Sequence, residues 1–344
     1  MSALFEACDA PAPAGAPLAA SRTVARGSQW VTLHPRHFAS TSAPSCNVRV
    51  RWSLHGPESA PWVVVQGGIS ADREVAADAS AGAPGWWSGI VGPGLAIDTR
   101  RVRVLAIDWL ERADLGNARA IDSRDQADAI AALLDAFEVR CVRAFVGASY
   151  GAMVGLAFAA LHPCRLARLV AISGAHRAHP LSTALRNLQR GIVRLATDAG
   201  DARAGLDLAR RLAMTTYRSE REFAERCGGE PAFSGGRYRF AEEDWLAAVG
   251  ARFAERFDPE RFLSLSESID LHRVDPGEVR VPTTLVGIPG DRVVPLADLC
   301  EVQRACGAPA TLHVIDSRYG HDAFLKEPIA IGNLLRETLE PIGA

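Results

Sequence analysis

Several things are scarce in this chain, and each scarcity closes off a class of function. No apolar run in its 344 residues approaches the roughly 20 residues a membrane-spanning helix requires, so a membrane protein is not expected. Charge of one sign is not in excess: 38 basic residues face 40 acidic ones, net −2, with both signs interspersed. No basic stripe therefore advertises a nucleic acid. Cysteines number seven, odd and without CxxC spacing, which argues against a disulfide framework or a zinc site and for reduced thiols. The nine histidines form no HxxxH-like ligand cluster, so neither a metal nor a tightly bound cofactor is implied. The N-terminus lacks a basic segment followed by a long apolar one, so the chain reads as cytoplasmic.

What is present reads as strands alternating with helices. "VRVRWSLHG" (Val48 to Gly56) alternates in period two and stops at glycine. "WVVVQGG" (Trp62 to Gly68) and "VRVLAIDW" (Val102 to Trp109) are continuous runs, as expected of strands buried on both faces. "DQADAIAALLDAFEV" (Asp125 to Val139) has helical spacing and an acidic first turn. "VRAFVGAS", a small-residue helix and the strand-like "LARLVAISG" follow, and "VPTTLVGI" and "ATLHVI" come late in the chain. This alternation predicts a mainly parallel α/β sheet covered on both sides. It is interrupted between about His179 and Leu271 by helical, charged segments, read as a lid over the carboxyl ends of the strands. The expected division is a flexible Ala/Pro/Gly-rich leader over 1–44, core over 45–178, lid over 179–275 and core again over 276–344.

The chemistry centres on "FVGASYGAMVG". Gly147 and Gly151 flank Ser149 in a G-x-S-x-G pattern between a strand and a helix. Side chains at the flanking positions would clash where the helix doubles back on the strand. A serine there needs a base, and the base an acid, in the order Ser, Asp or Glu, His. "LVGIPGDRVVP" supplies Asp291 just past a buried strand, and "LHVIDSRYGHDAFL" supplies His321 after the last strand. His313 is expected to pack within a strand, His176 and His179 to stand at the mouth of the insertion, and Asp316 is too near His321 in the chain to serve it. An oxyanion hole is expected from the N–H of Tyr150 and from the "QGGIS" loop at Gly68 or Ile69.

Beyond the α/β-hydrolase core, the chain resembles the homoserine O-acyltransferases, the MetX-type family of that fold. The resemblance rests on "GWWSGIVGPGLAIDT" (Gly85 to Thr99), the serine elbow, "TTYRSEREFAERC", "RFDPERFLSLSESIDLH" and "GHDAFLKEP" (Gly320 to Pro328). It implies acylation of Ser149 by an acyl-coenzyme A, a co-substrate, followed by transfer to the hydroxyl of L-homoserine in methionine biosynthesis. It also implies that Asp322 holds the substrate's ammonium group, that Arg190 binds substrate near the serine, and that a homodimer forms through the lid helices. Departures cluster around the acyl pocket: "DWLERADLGNARAIDSRDQ", "QGGIS", Tyr150 in place of methionine, and Arg186 in place of asparagine. Arg186 and Arg190 share a helix face, and two like charges there favour an anionic acyl group. The expected donor is thus succinyl-CoA. Acetyl-CoA is the alternative, followed by transfer to serine and by simple ester hydrolysis.

Overall fold

The β-branched runs become the inner strands of an eight-stranded sheet. A computed structural model describes residues 24–34, 45–78, 82, 84–116, 120–227 and 229–339. The strands are β1 (Val24–Leu33), β2 (Cys46–His55), β3 (Trp62–Gln66), β4 (Arg103–Ile107), β5 (Ala144–Ala148), β6 (Leu169–Ile172), β7 (Thr283–Gly287) and β8 (Ala310–Val314). Their order across the sheet is β1-β2-β4-β3-β5-β6-β7-β8, with β1 and β2 antiparallel and all pairings from β4 to β8 parallel.

Period two decides which face each side chain covers. Val64, Leu105, Ile107 and Phe145 enter one core, together with residues of α1 (Ser123–Ala136), α2 (Tyr150–Leu161) and α8 (Leu296–Ala305). Val63, Val65, Val104, Ala106, Ala144 and Val146 enter the other, against Trp87, Ile90 and the last long helix, α9 (Pro328–Leu339). Both faces are dry, which is why these strands read as unbroken apolar runs. The mainly parallel α/β-hydrolase sheet expected from the sequence is the sheet observed.

The leader expectation needs correction. Residues 1–23 and 35–44 lie outside the described residues, but Val24–Leu33 is a ten-residue strand paired with β2 along its whole length. Its sequence, VARGSQWVTL, carries Gly27 where the Trp52 ring crosses and buries only Val31 and Leu33. An edge strand with so little apolar content gives a weak pattern.

Between β6 and β7 stand α3 (Pro180–Asp198), α4 (Ala202–Tyr217), α5 (Glu220–Cys227), α6 (Ala241–Ala254) and α7 (Pro259–Leu271). Pro180 and Pro259 occupy first-turn positions, where a missing N–H costs nothing, behind the caps His179 and Asp258. Val193, Leu206, Ala209, Ala254 and Phe262 form a small core within this layer. A short exposed hairpin, Ala232–Ser234 with Arg237–Arg239, interrupts it and was not anticipated.

Candidate active site

Ser149 sits where β5 ends and α2 begins, at φ 56°, ψ −119°. A serine in the positive-φ region is strained, and the surroundings hold it there. Its N–H donates to Ile172 O at 2.8 Å, and the Gly151 N–H donates to Gly67 O at 2.8 Å. A methyl group on Gly147 would lie 2.2 Å from Gly151 O, and one on Gly151 would lie 2.2 Å from Gln66 O. Both glycines are therefore required by backbone contact, as the spacing predicts.

The loops after β7 and β8 bring the other two residues to the serine. Ser149 Oγ is 2.8 Å from His321 Nε2, and His321 Nδ1 is 2.8 Å from Asp291 Oδ2. Because a carboxylate only accepts, Nδ1 carries the proton and Nε2 is free to accept from the serine. The other oxygen, Asp291 Oδ1, accepts from the N–H groups of Val293 and Val294, which fixes the carboxylate's orientation. Burial works to lower the His321 pKa, but the charge and hydrogen bond of Asp291, with Asp322 nearby, outweigh it and hold it above the ordinary value. Arg186 opposes this rise. A hydroxyl, a base and an orienting acid in this geometry can perform nucleophilic acyl transfer.

A second buried serine–histidine contact differs in kind. Ser123 Oγ lies 2.6 Å from His272 Nδ1, while His272 Nε2 faces Ala175 O at 3.0 Å. A carbonyl only accepts, so Nε2 donates and Nδ1 accepts from Ser123. Burial pushes the His272 pKa down to about 3, and among the described residues no carboxylate orients it. This contact fastens the end of the lid to α1.

The expected oxyanion donors flank Ser149. Tyr150 is the first residue of α2, and its N–H is among those a helix leaves without an internal partner. Gly68 is so near that a methyl group on it would lie 3.8 Å from Ser149 Cβ. Trp109 Nε1 donates to Gly68 O at 2.9 Å and its ring packs edge-on against Tyr150 at 4.9 Å. The Tyr150 hydroxyl reaches Ser268 Oγ on α7 at 2.5 Å. Tyrosine at this position thus ties the lid to the elbow.

Ser149 and His321 open into a partly covered chamber of about 120 Å³, walled by Gly68, Ile69, Trp86 and Asp322 and roofed by Arg210, Tyr217, Phe253 and Phe262 of the lid. Asp322 is buried, with Oδ2 3.1 Å from Arg218 Nη2, and Arg218 also meets Glu222 at 3.1 Å. A wider groove of about 860 Å³ adjoins the chamber, sharing Ser70, Ala71, Trp86, Arg210 and Phe253 with it.

Arg190 and Arg186 do not line this chamber. Arg190 Nη1 donates to Asp270 Oδ2, Ser266 O and Ser266 Oγ at 2.6, 3.0 and 3.0 Å. Arg186 donates to Asp270 Oδ1 from Nε and Nη2. The Asp270 carboxylate satisfies both, so the like-charge reasoning that favoured an anionic acyl group loses its premise. The remaining histidines and Asp316 also stand elsewhere: His176 is buried near Glu301, His179 caps α3, and Asp316 is exposed. His313 is exposed as well, because β8 is the sheet's edge strand, and does not pack as expected. Sequence reasoning missed Arg210 and Arg218. The only signal for Arg218 was its place in "TTYRSER", and for Arg210 its position in α4 one turn before the chamber-facing Ala213 and two before Tyr217.

Comparison with known proteins gives a uniform picture. A family model described as alpha/beta hydrolase fold matches residues 61–328. A homoserine O-succinyltransferase of Xanthomonas campestris pv. campestris is 48% identical over 318 residues, covering 92% of this chain and 85% of that protein. A homoserine O-acetyltransferase of Mycobacterium tuberculosis is 32% identical over 334 residues, 86% of this chain and 88% of the other. Among solved structures, a homoserine O-acetyltransferase from Bacillus anthracis superposes with TM-score 0.81 at 17% identity, over 93% of this chain and 99% of that one. An acetylester hydrolase from Corynebacterium glutamicum reaches 0.74 at 17% identity, over 92% and 96%. At such identities the structural likeness shows the fold alone, and the fold hosts both transfer and hydrolysis.

Proposed function

The chain belongs to the alpha/beta hydrolase family and, within it, to the homoserine O-acyltransferases, and from that premise we propose that it transfers a succinyl group from succinyl-CoA to the hydroxyl of L-homoserine through an acylated Ser149. The donor assignment rests on the 48% identity with the Xanthomonas succinyltransferase. The observation that favours transfer over hydrolysis is Asp322, a buried carboxylate in the chamber wall next to His321, with Arg218 paired to it at 3.1 Å from behind the lining. A free amino acid is a zwitterion: its carboxylate suits Arg218 and its ammonium group suits Asp322. An ester substrate needs neither. We assign to Arg218 the carboxylate-binding role that the family resemblance implied for Arg190, whose guanidinium is held by Asp270.

Two half-reactions use the same groups. His321 Nε2 takes the proton of Ser149 as Oγ attacks the thioester carbonyl. The oxyanion is met by the N–H of Tyr150 and by that of Ile69. Trp109 holds Gly68 O, and across a trans peptide the Ile69 N–H points the opposite way, so one hydrogen bond sets that donor's direction. The C–S bond breaks and the coenzyme's sulfur leaves with the proton from His321. The homoserine hydroxyl then attacks the acyl-serine, giving its proton to His321, which returns it to Ser149 Oγ as the product ester departs. The lid residues Tyr217, Phe253 and Phe262 cover the serine with apolar rings, which disfavours water as a competing acceptor.

The chain acts as a cytoplasmic homodimer in methionine biosynthesis. Among the described residues no helix is long and apolar enough to cross a membrane. Leu181, Leu188 and Leu195 recur at seven-residue intervals on α3, each more than half exposed. Such a stripe suits packing against a second copy.

Purified protein mixed with L-homoserine and either succinyl-CoA or acetyl-CoA tests this by release of free thiol. Homoserine-dependent release, faster with succinyl-CoA, is the expected result. A preference for acetyl-CoA overturns the donor assignment, L-serine acting better than homoserine overturns the acceptor, and release indifferent to any amino acid overturns transfer.

A further inference from the structure

Arg210 of α4 lines both the catalytic chamber and the outer groove, and so stands at their junction. Its guanidinium carbon lies 4.7 Å from the centre of the Phe253 ring and 5.1 Å from that of Tyr217. The Tyr217 ring is in turn 5.5 Å from the His321 imidazole. Arg210 Nε is buried with no hydrogen-bond partner, and no carboxylate among the described residues pairs with the side chain. Keeping a charged donor out of water unmatched is costly, so the arrangement makes sense for a site that receives an anion.

The neighbouring cations are already matched. Arg218 has Asp322 and Glu222, Arg73 has Asp108, and Arg261 has Glu111. Moving outward along the groove, Arg252 on α6 and Arg256 just beyond it are exposed and, among the described residues, also lack an acidic partner. Asp72, Glu74, Asp108 and Asp258 also line the groove, but none of them forms an ion pair with Arg210, Arg252 or Arg256, and of these three arginines Arg210 alone reaches the chamber. The small chamber suits an acyl end, and the adjoining groove has room for the bulk of a coenzyme. The acceptor, a zwitterion, is complementary to the matched Arg218–Asp322 pair. The donor brings anions with no cation of their own.

Resting on the acyltransferase reading, we propose that Arg210 binds an anionic group of the acyl donor, a carboxylate or phosphate oxygen pair, as its thioester approaches Ser149. The flanking rings hold the guanidinium plane, which presents its N–H fork to two oxygens at once. The carboxylate of a succinyl group and the phosphates of the coenzyme share this chemistry.

The test measures donor binding apart from turnover. Succinyl-CoA and acetyl-CoA are titrated calorimetrically into full-length Ser149→Ala protein, with and without Arg210→Met, and melting temperatures confirm folding. Loss of a charge-assisted contact is expected to weaken binding about tenfold or more. Weakening confined to succinyl-CoA identifies the carboxylate, and equal weakening of both donors identifies a phosphate. Unchanged affinity for both donors overturns the proposal. If Arg210→Met does not fold, Arg210→Lys, which keeps the charge and loses the fork, is read in the same way. Because Ser149→Ala does not turn over, donor binding that depends on Arg210 while wild-type protein shows no homoserine-dependent thiol release would separate a failure of the acyltransferase reading from a failure of this one.

Discussion

Arg186 places both Nε and Nη2 on one oxygen of Asp270, at 2.8 and 2.6 Å, while Arg190 takes the other oxygen at 2.6 Å. All three side chains are about nine-tenths buried. Two cations sharing one carboxylate make that acid indispensable to the packing of α3 against α7. Asp270→Asn leaves two buried guanidinium groups short of charge and is expected to destabilise the protein by about 3–5 kcal/mol. Chemical denaturation measures it; a loss below about 1 kcal/mol would contradict the role given to Asp270. Arg186→Leu should likewise lower stability without changing the ratio of rates with succinyl-CoA and acetyl-CoA.

Asp291→Asn tests the orienting acid. The amide can still accept from the Val293 and Val294 N–H groups through its oxygen, so the loop keeps its shape. Its NH₂ then faces His321 and favours the wrong tautomer. A fall in kcat of about 10⁴-fold is expected, as for the corresponding change in serine proteases. The melting temperature should stay near that of the parent protein. A loss below about tenfold, measured by thiol release, would mean that Asp291 does not orient the base.

His321 sets the acid limb of the pH profile. Its pKa is raised by Asp291 against the lowering effect of burial, so the imidazolium persists above the ordinary value of about 6.5. Only the neutral ring can accept the serine proton, so kcat/KM should rise with pH and reach half its maximum above about 6.5. A profile already flat at pH 6 would contradict this ordering. The same limb should disappear in His321→Ala, whose residual rate has no such base.

Gly151→Ala probes the elbow. The added methyl would fall 2.2 Å from Gln66 O and 2.8 Å from Gly67 O, both backbone atoms of the loop that carries Gly68. Neither can yield without displacing β3. The expected cost is about 3 kcal/mol or more, with activity lost. A soluble variant with unchanged melting temperature and rate would show that the helix does not pack this closely.

How legible each feature was follows from how local its cause is. The elbow could be read because its two glycines answer to contacts within a strand, a turn and a helix. Asp291 and His321 could be read because each follows a buried strand whose apolar run is plain. Arg186 and Arg190 were misassigned because their partner, Asp270, is 84 and 80 residues away in the chain, and no spacing rule announces it. Strand β1 was mistaken for leader because an edge strand that buries only two apolar side chains resembles the segment around it. Arg210 draws its character from rings on α4 and α6 that meet only in the folded lid.

The most direct measurement is the intact mass of the protein mixed with succinyl-CoA and no acceptor. The expected result is one added succinyl group, mapped to the Ser149 peptide, discharged by L-homoserine and absent from Ser149→Ala. Homoserine-dependent thiol release without any such adduct, or an adduct that homoserine cannot discharge, would contradict transfer through Ser149.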